Sequence, residues 1–368
     1  MRLAILTQPL RTNYGGILQN YALQQCLKGM GHEVYTLDCV AAPTASAAKV
    51  LRRLAKVALG KLPVSYLGYE RRYRHDYPLF TRNTRAFVSE HIDLYPYRDP
   101  ARDLTAESFD GYIVGSDQVW RPDYNRIEEM FLDFTKTWPV KRIAYAASFG
   151  SEKWEFSPTE TRACATLARQ FDAVSVRESS GEALCRDYLG VEAVTVLDPS
   201  MLLSKQAYAS LVDPDRTKPS EGNLFVHILD RTAAKEQVVS RLASRYGALP
   251  FTCNQAEPEG RIDLPIGKRI QPPVEQWLRS FMEAEYVVTD SFHATVFSIL
   301  FNKPFLVLEN PDRGLTRIRS LLGSLGLEAC LFSGEMPLIF PEIDYISKIF
   351  LINQLRQESE TFLNKNLA

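Results

Sequence analysis

The fold is decided most directly by one short segment, YVVTDSFHATVFSIL at residues 286–300. Aromatic and β-branched residues come first, small polar residues follow, and an apolar stretch continues to Leu300. A strand that passes at once into a helix is the unit of a parallel α/β sheet. His293 falls in the first turn of the predicted helix, where free backbone N–H groups and partial positive charge favour an anion. A histidine there can exchange protons near neutral pH, or it can merely cap or pack.

The same alternation of apolar runs and helical patterns extends along the rest of the chain. Helices are predicted at residues 17–30 and 343–364, and strands at residues 3–6, 33–37, 112–114, 143–146, 173–176, 193–196, 224–229, 286–288 and 304–308. Pro199 and Pro214 mark a change of segment. We therefore expect two α/β halves with a cleft between them, and ligands outside the carboxyl ends of the strands.

The predicted division is a first domain at residues 1–178, a second at residues 179–342 and a helix in residues 343–368 that packs back on the first domain. The length of 368 residues is more than one hydrophobic core usually serves, which supports two domains.

Composition excludes several classes of protein. The 43 Lys and Arg residues balance 44 Asp and Glu residues, which is not the charge of a dedicated nucleic-acid binder. No stretch approaches the ~18 to 20 apolar residues of a membrane span, and the apolar start is too short for a secretory signal. The six cysteines form no Cys-x-x-Cys pair, and no cluster has metal-ligand spacing. We expect a cytoplasmic protein with reduced thiols and no metal.

Residues 45–85 depart from this balance, with ten basic residues against Glu70 and Asp76. Within them, residues 47–62 can form a helix in which Val50, Leu51, Leu54, Val57 and Ala58 lie between basic residues. Such a segment is either a solvated helical insertion or a helix that lies on an anionic membrane surface.

A second polar segment follows the predicted strand at 112–114. It contains Ser116, Asp117, Gln118 and Trp120, which together offer hydrogen-bonding groups and an aromatic face suited to a sugar. The alternative is an ordinary capped helix start with Ser116 or Asp117 as the N-cap.

Two further segments could contact a ligand. Asn13 and Tyr14 precede the paired glycines Gly15 and Gly16, which would let a ligand approach the backbone or would form a tight turn. Arg177, at the end of a buried strand near the domain junction, could bind an anion in the cleft or form an interdomain salt bridge. Further anion candidates are Arg313, Arg317 and Arg319.

Taken together and in order, these segments resemble the polysaccharide pyruvyl transferase family. The matching motifs are NYGG at residues 13–16, LQNYALQ at 18–24, GSDQVW at 115–120, SVRE at 175–178, LDP at 197–199, TDSFHA at 289–294 and NKP at 302–304. The resemblance covers about residues 3–325. Two positions depart from it: Ser291 stands where many members have an arginine that holds the donor, and Ala294 replaces the usual glycine.

The resemblance implies two Rossmann-like domains facing a cleft, like the B-type glycosyltransferase fold, with the acceptor bound by the first and the donor by the second. It also implies transfer of an enolpyruvyl unit from phosphoenolpyruvate to two sugar hydroxyls. It implies His293 as the general acid and Asp117 as an acceptor-positioning group or base. The remaining site residues it implies are Arg177, Ser291, Phe292, Lys303 and Arg313 for the donor, and Asn13, Tyr14, Gly15, Gly16, Gln19, Ser116, Gln118 and Trp120 for the acceptor. Arg177, Lys303 or Arg313 would take over the task of the missing arginine.

The expected reaction needs phosphoenolpyruvate as co-substrate and no cofactor. Acceptors in this family are often lipid-linked sugars, so we expect a polyprenyl-diphosphate-linked saccharide of exopolysaccharide or capsule biosynthesis and contact with the inner membrane face. Two alternatives stay open: a glycosyltransferase that uses a nucleotide sugar, and a non-catalytic protein of polysaccharide assembly.

Overall fold

The computed structural model describes residues 1–39, 47–254, 261–310, 313–334 and 338–368, and it omits the side chains of residues 47–49. Two parallel sheets organise these residues, as the alternating pattern predicts. The first sheet has the order β3-β2-β1-β4-β5-β6-β7. Its strands are β1 (Arg2–Leu6), β2 (Glu33–Cys39), β3 (Leu94–Tyr97), β4 (Gly111–Val114), β5 (Lys141–Ala147), β6 (Ala173–Val176) and β7 (Val194–Thr195).

The second sheet has the order β12-β11-β10-β8-β9. Its strands are β8 (Leu224–His227), β9 (Pro250–Phe251), β10 (Tyr286–Thr289), β11 (Phe305–Leu308) and β12 (Leu331–Phe332). The central strands β8 and β11 are buried along their whole length, because helices cover both faces of a parallel sheet.

The helices alternate with the strands. They are α1 (Tyr14–Gly29), α2 (Ala47–Ala58), α3 (Tyr69–Phe80), α4 (Arg82–His91), α5 (Pro100–Asp103), α6 (Pro158–Ala168), α7 (Ser180–Leu184), α8 (Lys205–Ala209), α9 (Ala233–Tyr246), α10 (Val274–Glu283), α11 (Phe292–Leu300), α12 (Leu315–Leu325) and α13 (Tyr345–Leu367). None of the described helices is both long and apolar enough to cross a membrane.

Each sheet has one point where the strand order reverses, and these two points position the site. In the first sheet the reversal lies between β1 and β4, and in the second it lies between β8 and β10. The loops that leave such neighbouring strands diverge to opposite faces and open a crevice at the carboxyl ends. The polar segments that follow β1, β4, β8 and β10 are therefore brought to the cleft by topology.

The C-terminal helix α13 contacts both halves of the molecule. Leu363 and Leu367 pack in the core below the first sheet, while Ile352 belongs to the core formed mainly by the second half. The Ser359 hydroxyl accepts a hydrogen bond from the Leu197 amide at 3.0 Å. The first sheet extends to Thr195, beyond residue 178 where the sequence placed the domain boundary.

Candidate functional site

A cavity of about 420 Å³ lies between the carboxyl ends of the two sheets. It brings together many of the side chains singled out in the sequence, from segments separated by more than 270 residues. The predicted residues that line it are Asn13, Tyr14, Gly15, Asp117, Gln118, Ser291, Phe292, His293 and Arg313. The two polar segments, from different sheets, thus face one space.

His293 lies at the beginning of α11, as predicted, and is 6% exposed. Ser291 is the N-cap residue of that helix, and its hydroxyl accepts a hydrogen bond from the Ala294 amide at 3.5 Å. One side of the imidazole packs against Gly15: a Cβ at that position would lie 2.1 Å from Cγ of His293. Gly15 is therefore needed for the close approach of α1 and α11, rather than for a turn.

The Nε2 atom of His293 faces Asp198, a residue that the sequence analysis quoted only as part of a motif. Nε2 lies 3.7 Å from Oδ2 of Asp198, which is longer than a hydrogen bond. Burial would raise the pKa of Asp198, but His293, Arg177 and the Ser200 hydroxyl hold that pKa well below its usual range. Asp198 is therefore a buried carboxylate that stays charged beside the imidazole.

Arg177 is sealed behind this carboxylate and does not line the main cavity. Its side chain is 1% exposed and donates to Oδ2 of Asp198 at 2.7 Å and to Oδ1 of Asp117 at 3.3 Å. Burial disfavours its charge, but the two carboxylates raise its pKa above the ordinary value. Of the two roles considered for Arg177, the structure favours the salt bridge, because the carboxylates of Asp198 and Asp117 already balance its charge.

Asp117 connects the buried cluster to the cavity. Its Oδ1 accepts from the Gln118 amide at 2.9 Å and contacts both Arg177 and Arg317, while Oδ2 has no hydrogen bond to any described residue. Burial would raise the pKa of Asp117, but the charges of Arg177, His293 and Arg317 lower it. A carboxylate of lowered pKa is a weak base and a good hydrogen-bond acceptor.

Arg317, named from the sequence only as a further anion candidate, also lines the cavity. It is 4% exposed, and the one hydrogen bond of its side chain within the described residues runs from Nη2 to the Arg313 carbonyl at 2.5 Å. The guanidinium lies 5.5 Å from the ring centroid of Phe292 and 3.6 Å from Oδ1 of Asp117. Burial and the nearby charge of Arg177 lower the pKa of Arg317 to about 10, so it remains a cation at neutral pH.

An aromatic wall forms the side of the cavity opposite this cluster. Tyr14 stacks on Trp277 with ring centroids 5.5 Å apart, and its hydroxyl donates to the Pro272 carbonyl at 2.9 Å. The Trp277 indole donates to Nδ1 of His227 at 3.2 Å. Burial lowers the pKa of His227 to about 4, so this histidine is neutral. The position of His227 at the end of β8 is the signal that could have found it.

The structure corrects the predictions made for Trp120 and Lys303, which both lie outside the cavity. The Trp120 indole stacks on Phe131 at 4.7 Å and donates to the Met130 carbonyl, so it belongs to the core and offers no face to a sugar. Lys303 precedes β11 and therefore lies at the amino-terminal ends of the strands, away from the cavity, where its ammonium donates to the Met282 carbonyl at 3.0 Å.

Three other predicted residues, Gln19, Gly16 and Ser116, lie outside the cavity wall and connect the segments that form it. Gln19 donates to Thr7 and to the Gly16 carbonyl, and it accepts from the Ser116 amide, which ties α1 to the loops after β1 and β4. The Ser116 hydroxyl donates to Asp198 at 3.1 Å. None of Gln19, Gly16 and Ser116 lines the main cavity.

Arg313 lines the cavity, but its guanidinium is already bound. Nε and Nη2 donate to the two carboxylate oxygens of Asp230 at 2.8 and 2.9 Å. The Arg313 guanidinium is therefore less able to bind the donor substrate than the sequence suggested. Within the described residues, no group of three His, Cys, Asp or Glu side chains is arranged to hold a metal ion.

Comparisons with known proteins agree with this architecture. The family described as polysaccharide pyruvyl transferase matches residues 13–313, and no curated protein matches the sequence. HepE of Anabaena in complex with UDP has a TM-score of 0.50 at 9% identity, over 99% of this chain and 100% of that one. UGT89C1 of Arabidopsis thaliana in complex with UDP-L-rhamnose has a TM-score of 0.49 at 11% identity, over 99% and 97%. The likeness to HepE confirms the expected B-type glycosyltransferase fold, and at this identity it concerns the fold alone.

Proposed function

The chain belongs to the polysaccharide pyruvyl transferase family, and we propose that it transfers the enolpyruvyl unit of phosphoenolpyruvate to two hydroxyls of a saccharide. The observation that carries the proposal is the position of His293, at the beginning of α11 and in the wall of the interdomain cavity, with charged Asp198 behind it. The product is a cyclic pyruvate ketal of a bacterial surface polysaccharide.

The reaction needs one proton transfer to carbon and one leaving group. Protonation of the methylene carbon of phosphoenolpyruvate makes the adjacent carbon electrophilic, and the first sugar hydroxyl adds there and releases its proton. The bond from that carbon to the phosphate oxygen then breaks, phosphate leaves, and the second hydroxyl closes the ring and releases its proton. Two hydroxyl protons are lost, one is gained by carbon and one by phosphate, so the reaction is balanced.

We assign the proton donation to His293. Nε2 faces Asp198, Nδ1 adjoins Gly15, and the ring lines the cavity, where it can reach a bound substrate. The carboxylate of Asp198 places a negative charge 3.7 Å from Nε2 of the imidazole. The same histidine regains a proton when the hydroxyl adds, so no other group has to carry the proton away.

Asp117 is assigned to positioning of the acceptor. Its lowered pKa weakens it as a base, whereas the free Oδ2 can accept a hydrogen bond from a sugar hydroxyl. This choice resolves the two roles that the sequence left open for this residue.

The donor's phosphate is assigned to Arg317 and the N-terminus of α11. Of the three cations that could replace the missing family arginine, Lys303 lies at the amino-terminal ends of the strands, Arg313 is bound to Asp230 and Arg177 is enclosed. Arg317 lines the cavity and has several N–H groups without a partner within the described residues. A helix N-terminus adds backbone donors of the kind that phosphate prefers.

The test is turnover of phosphoenolpyruvate by the full chain with candidate saccharides, read by phosphate release and by the mass gain of a pyruvate ketal. His293→Ala should lower kcat roughly a hundredfold or more, the scale of a lost general acid, with an unchanged circular dichroism spectrum. The exposed His75→Ala is the matched control and should keep full activity. Near-normal turnover by His293→Ala would remove the assignment.

A thermal-shift comparison separates this proposal from its main alternative. Phosphoenolpyruvate should stabilise the protein, and UDP or GDP should not, because a ligand that binds only the native state raises its stability with the logarithm of the ligand concentration relative to the dissociation constant. Stabilisation by a nucleoside diphosphate alone would favour a nucleotide-sugar glycosyltransferase. Stabilisation by neither would favour a non-catalytic protein of polysaccharide assembly.

The acceptor is proposed to be a lipid-linked saccharide, with the enzyme bound peripherally to the inner face of the membrane. The surface that supports this part of the proposal lies outside the cavity, in the segment of α2, α3 and α4.

A further inference from the structure

The exposed side chains of residues 50–85, here named the basic surface, have only one sign of charge. Seven lysines and arginines are exposed, and they are Arg52, Lys56, Lys61, Arg71, Arg72, Arg74 and Arg82. The same stretch contains two acids, Glu70 and Asp76. Neither of these acids is exposed.

Both acids are neutralised inside the protein. Glu70 forms an ion pair with Arg53, and Asp76 forms one with the fully buried Arg269 of the second half of the chain. The charge that the basic surface presents to solvent therefore comes from lysines and arginines alone, and of these Arg72 also lies 3.6 Å from Asp76.

Apolar side chains are exposed among these cations. The exposed apolar residues are Leu51, Leu54, Leu59, Val64, Leu67 and Leu79, with relative exposures from 42% to 72%. Single exposed apolar side chains are normal on a protein surface. Here six lie within thirty residues, interleaved with cations, and they form an apolar patch whose exposure to water is unfavourable.

Helix α2 shows how the two kinds of side chain share one outward side. The helix is held to the protein through Arg53, which pairs with Glu70 and lies 4.3 Å from the ring centroid of Tyr69. Leu51 is 65% exposed, and Arg52 and Lys56 are also exposed. Apolar and basic side chains therefore flank each other along the exposed arc, as in helices that lie in a membrane interface.

The basic surface is connected to the rim of the cavity. The Tyr73 hydroxyl of α3 accepts a hydrogen bond from Arg11 at 3.4 Å, and Thr84 of α4 donates to the Arg11 carbonyl. Asn83 donates to the Gln271 carbonyl at 2.7 Å. Arg11 and Gln271 both line the cavity.

We propose that the basic surface docks the protein on an anionic lipid bilayer and so presents the cavity to a saccharide carried by a membrane lipid. The cations meet anionic headgroups, and Leu51, Leu54 and their apolar neighbours enter the headgroup–acyl boundary. This inference rests on the proposed function only for the identity of the acceptor, because the charge and exposure of the surface stand without it.

The experiment is flotation of the full chain with vesicles of phosphatidylcholine alone or with added phosphatidylglycerol. Binding should require the anionic lipid and weaken as salt rises, because salt screens exposed charges. Arg52→Glu/Lys56→Glu should lower the partition coefficient roughly 25-fold or more, since each cation near the surface contributes about a factor of five. Leu51→Gln/Leu54→Gln should weaken binding without a change of charge.

Matched controls carry equal changes elsewhere. Arg241→Glu/Arg245→Glu on α9 alters the same charge at exposed positions, and Ile346→Gln/Phe350→Gln on α13 removes side chains that are 85% and 76% exposed. Both controls should float like the unmodified protein. Equal binding to neutral and anionic vesicles, no binding to either, or equal loss in the controls would overturn the proposal.

Activity distinguishes this inference from the proposed function. With phosphoenolpyruvate and a water-soluble saccharide, the surface variants should keep full turnover, whereas with a lipid-linked acceptor in anionic vesicles they should lose it. A chain that binds anionic vesicles but never consumes phosphoenolpyruvate would contradict the proposed function and leave the docking surface intact.

Discussion

Arg177 and Arg317 lie in one buried cluster but differ in what their guanidinium groups face. Arg177 is enclosed by Asp198 and Asp117, whereas Arg317 borders the cavity with a single hydrogen bond within the described residues. The first is expected to stabilise the fold, and the second to bind the donor. From the sequence alone, Arg177 was expected to bind the donor, and Arg317 was named only as a further anion candidate.

Substitution of each arginine should separate these roles. Arg177→Ala should lower the free energy of unfolding by about 3–5 kcal/mol, because it leaves buried carboxylates without their counter-charge. Arg317→Ala should raise the Michaelis constant for phosphoenolpyruvate roughly tenfold or more, the scale of a lost charge-assisted hydrogen bond. Urea denaturation and steady-state kinetics measure the two effects. A destabilised Arg317→Ala with an unchanged Michaelis constant would exclude Arg317 from the donor site.

His227 makes stability depend on pH in a defined window. Burial lowers its folded-state pKa to about 4, below the unfolded value near 6.5, so the unfolded chain binds the proton more readily. The stabilisation that depends on the neutral His227 ring is therefore fully present above pH 6.5. As the pH falls to 4, the free energy of unfolding decreases by about 3 kcal/mol in all. His227→Gln should flatten the urea-denaturation profile across that window. Parallel profiles for the two proteins would show that His227 does not titrate as described.

At the scale of elements, the approach of α1 to α11 brings a backbone from one half of the chain against the histidine of the other. Gly15 is the contact: its missing side chain leaves the space that the His293 ring occupies. The two helix N-termini therefore meet at the cavity because a glycine stands at this position.

Gly15→Ala should displace His293 and lower kcat roughly a hundredfold, because a shift of about 1 Å in a reacting group can have that effect. Gly29→Ala in the same helix is the control, since a Cβ there would meet no atom within 4 Å and alanine is favoured in helices. We expect normal turnover and slightly raised thermal stability for the control. Equal activity of the two variants would mean that α1 can move without cost to the site.

At the scale of the whole molecule, the site exists only where the two sheets face each other. Tyr14 of the first half stacks on Trp277 of the second, and α13 crosses from one core to the other. Helix α13 therefore connects the two halves, and its Leu355, Glu358 and Ser359 line a second pocket beside Phe292 and Asp198.

Substitution of Leu363 tests whether the packing of α13 on the first half stabilises the fold. Its side chain is fully buried against the first half, so Leu363→Ala should lower the free energy of unfolding by about 2–5 kcal/mol. Ile346→Ala, at the beginning of the same helix and 85% exposed, should change it by less than about 0.5 kcal/mol. Urea denaturation monitored by fluorescence compares the two. A stable Leu363→Ala would show that the end of α13 is dispensable for the fold.

Much of the architecture followed from the sequence. Strands buried on both faces are short apolar runs, and glycine and polar residues mark their ends, so the central strands and the position of His293 after β10 were predicted. The edge strands β3, β9 and β12 were missed, because a short strand with one partner needs no continuous apolar run. The pattern along the chain thus determines which elements form and where polar loops follow them.

Tertiary structure decided what those loops do. His293 meets Asp198 across 95 positions of sequence, and Asp117 meets Arg317 across 200. Tertiary packing also placed Trp120 in the core, and it left Lys303 at the amino-terminal end of β11, away from the cavity. A local pattern specifies the burial and direction of the backbone, but the ion partner of a charged side chain depends on which distant segment packs against it. That is why the sequence by itself determined a parallel α/β protein with a histidine at a strand end, and only the folded molecule determined which charges surround it.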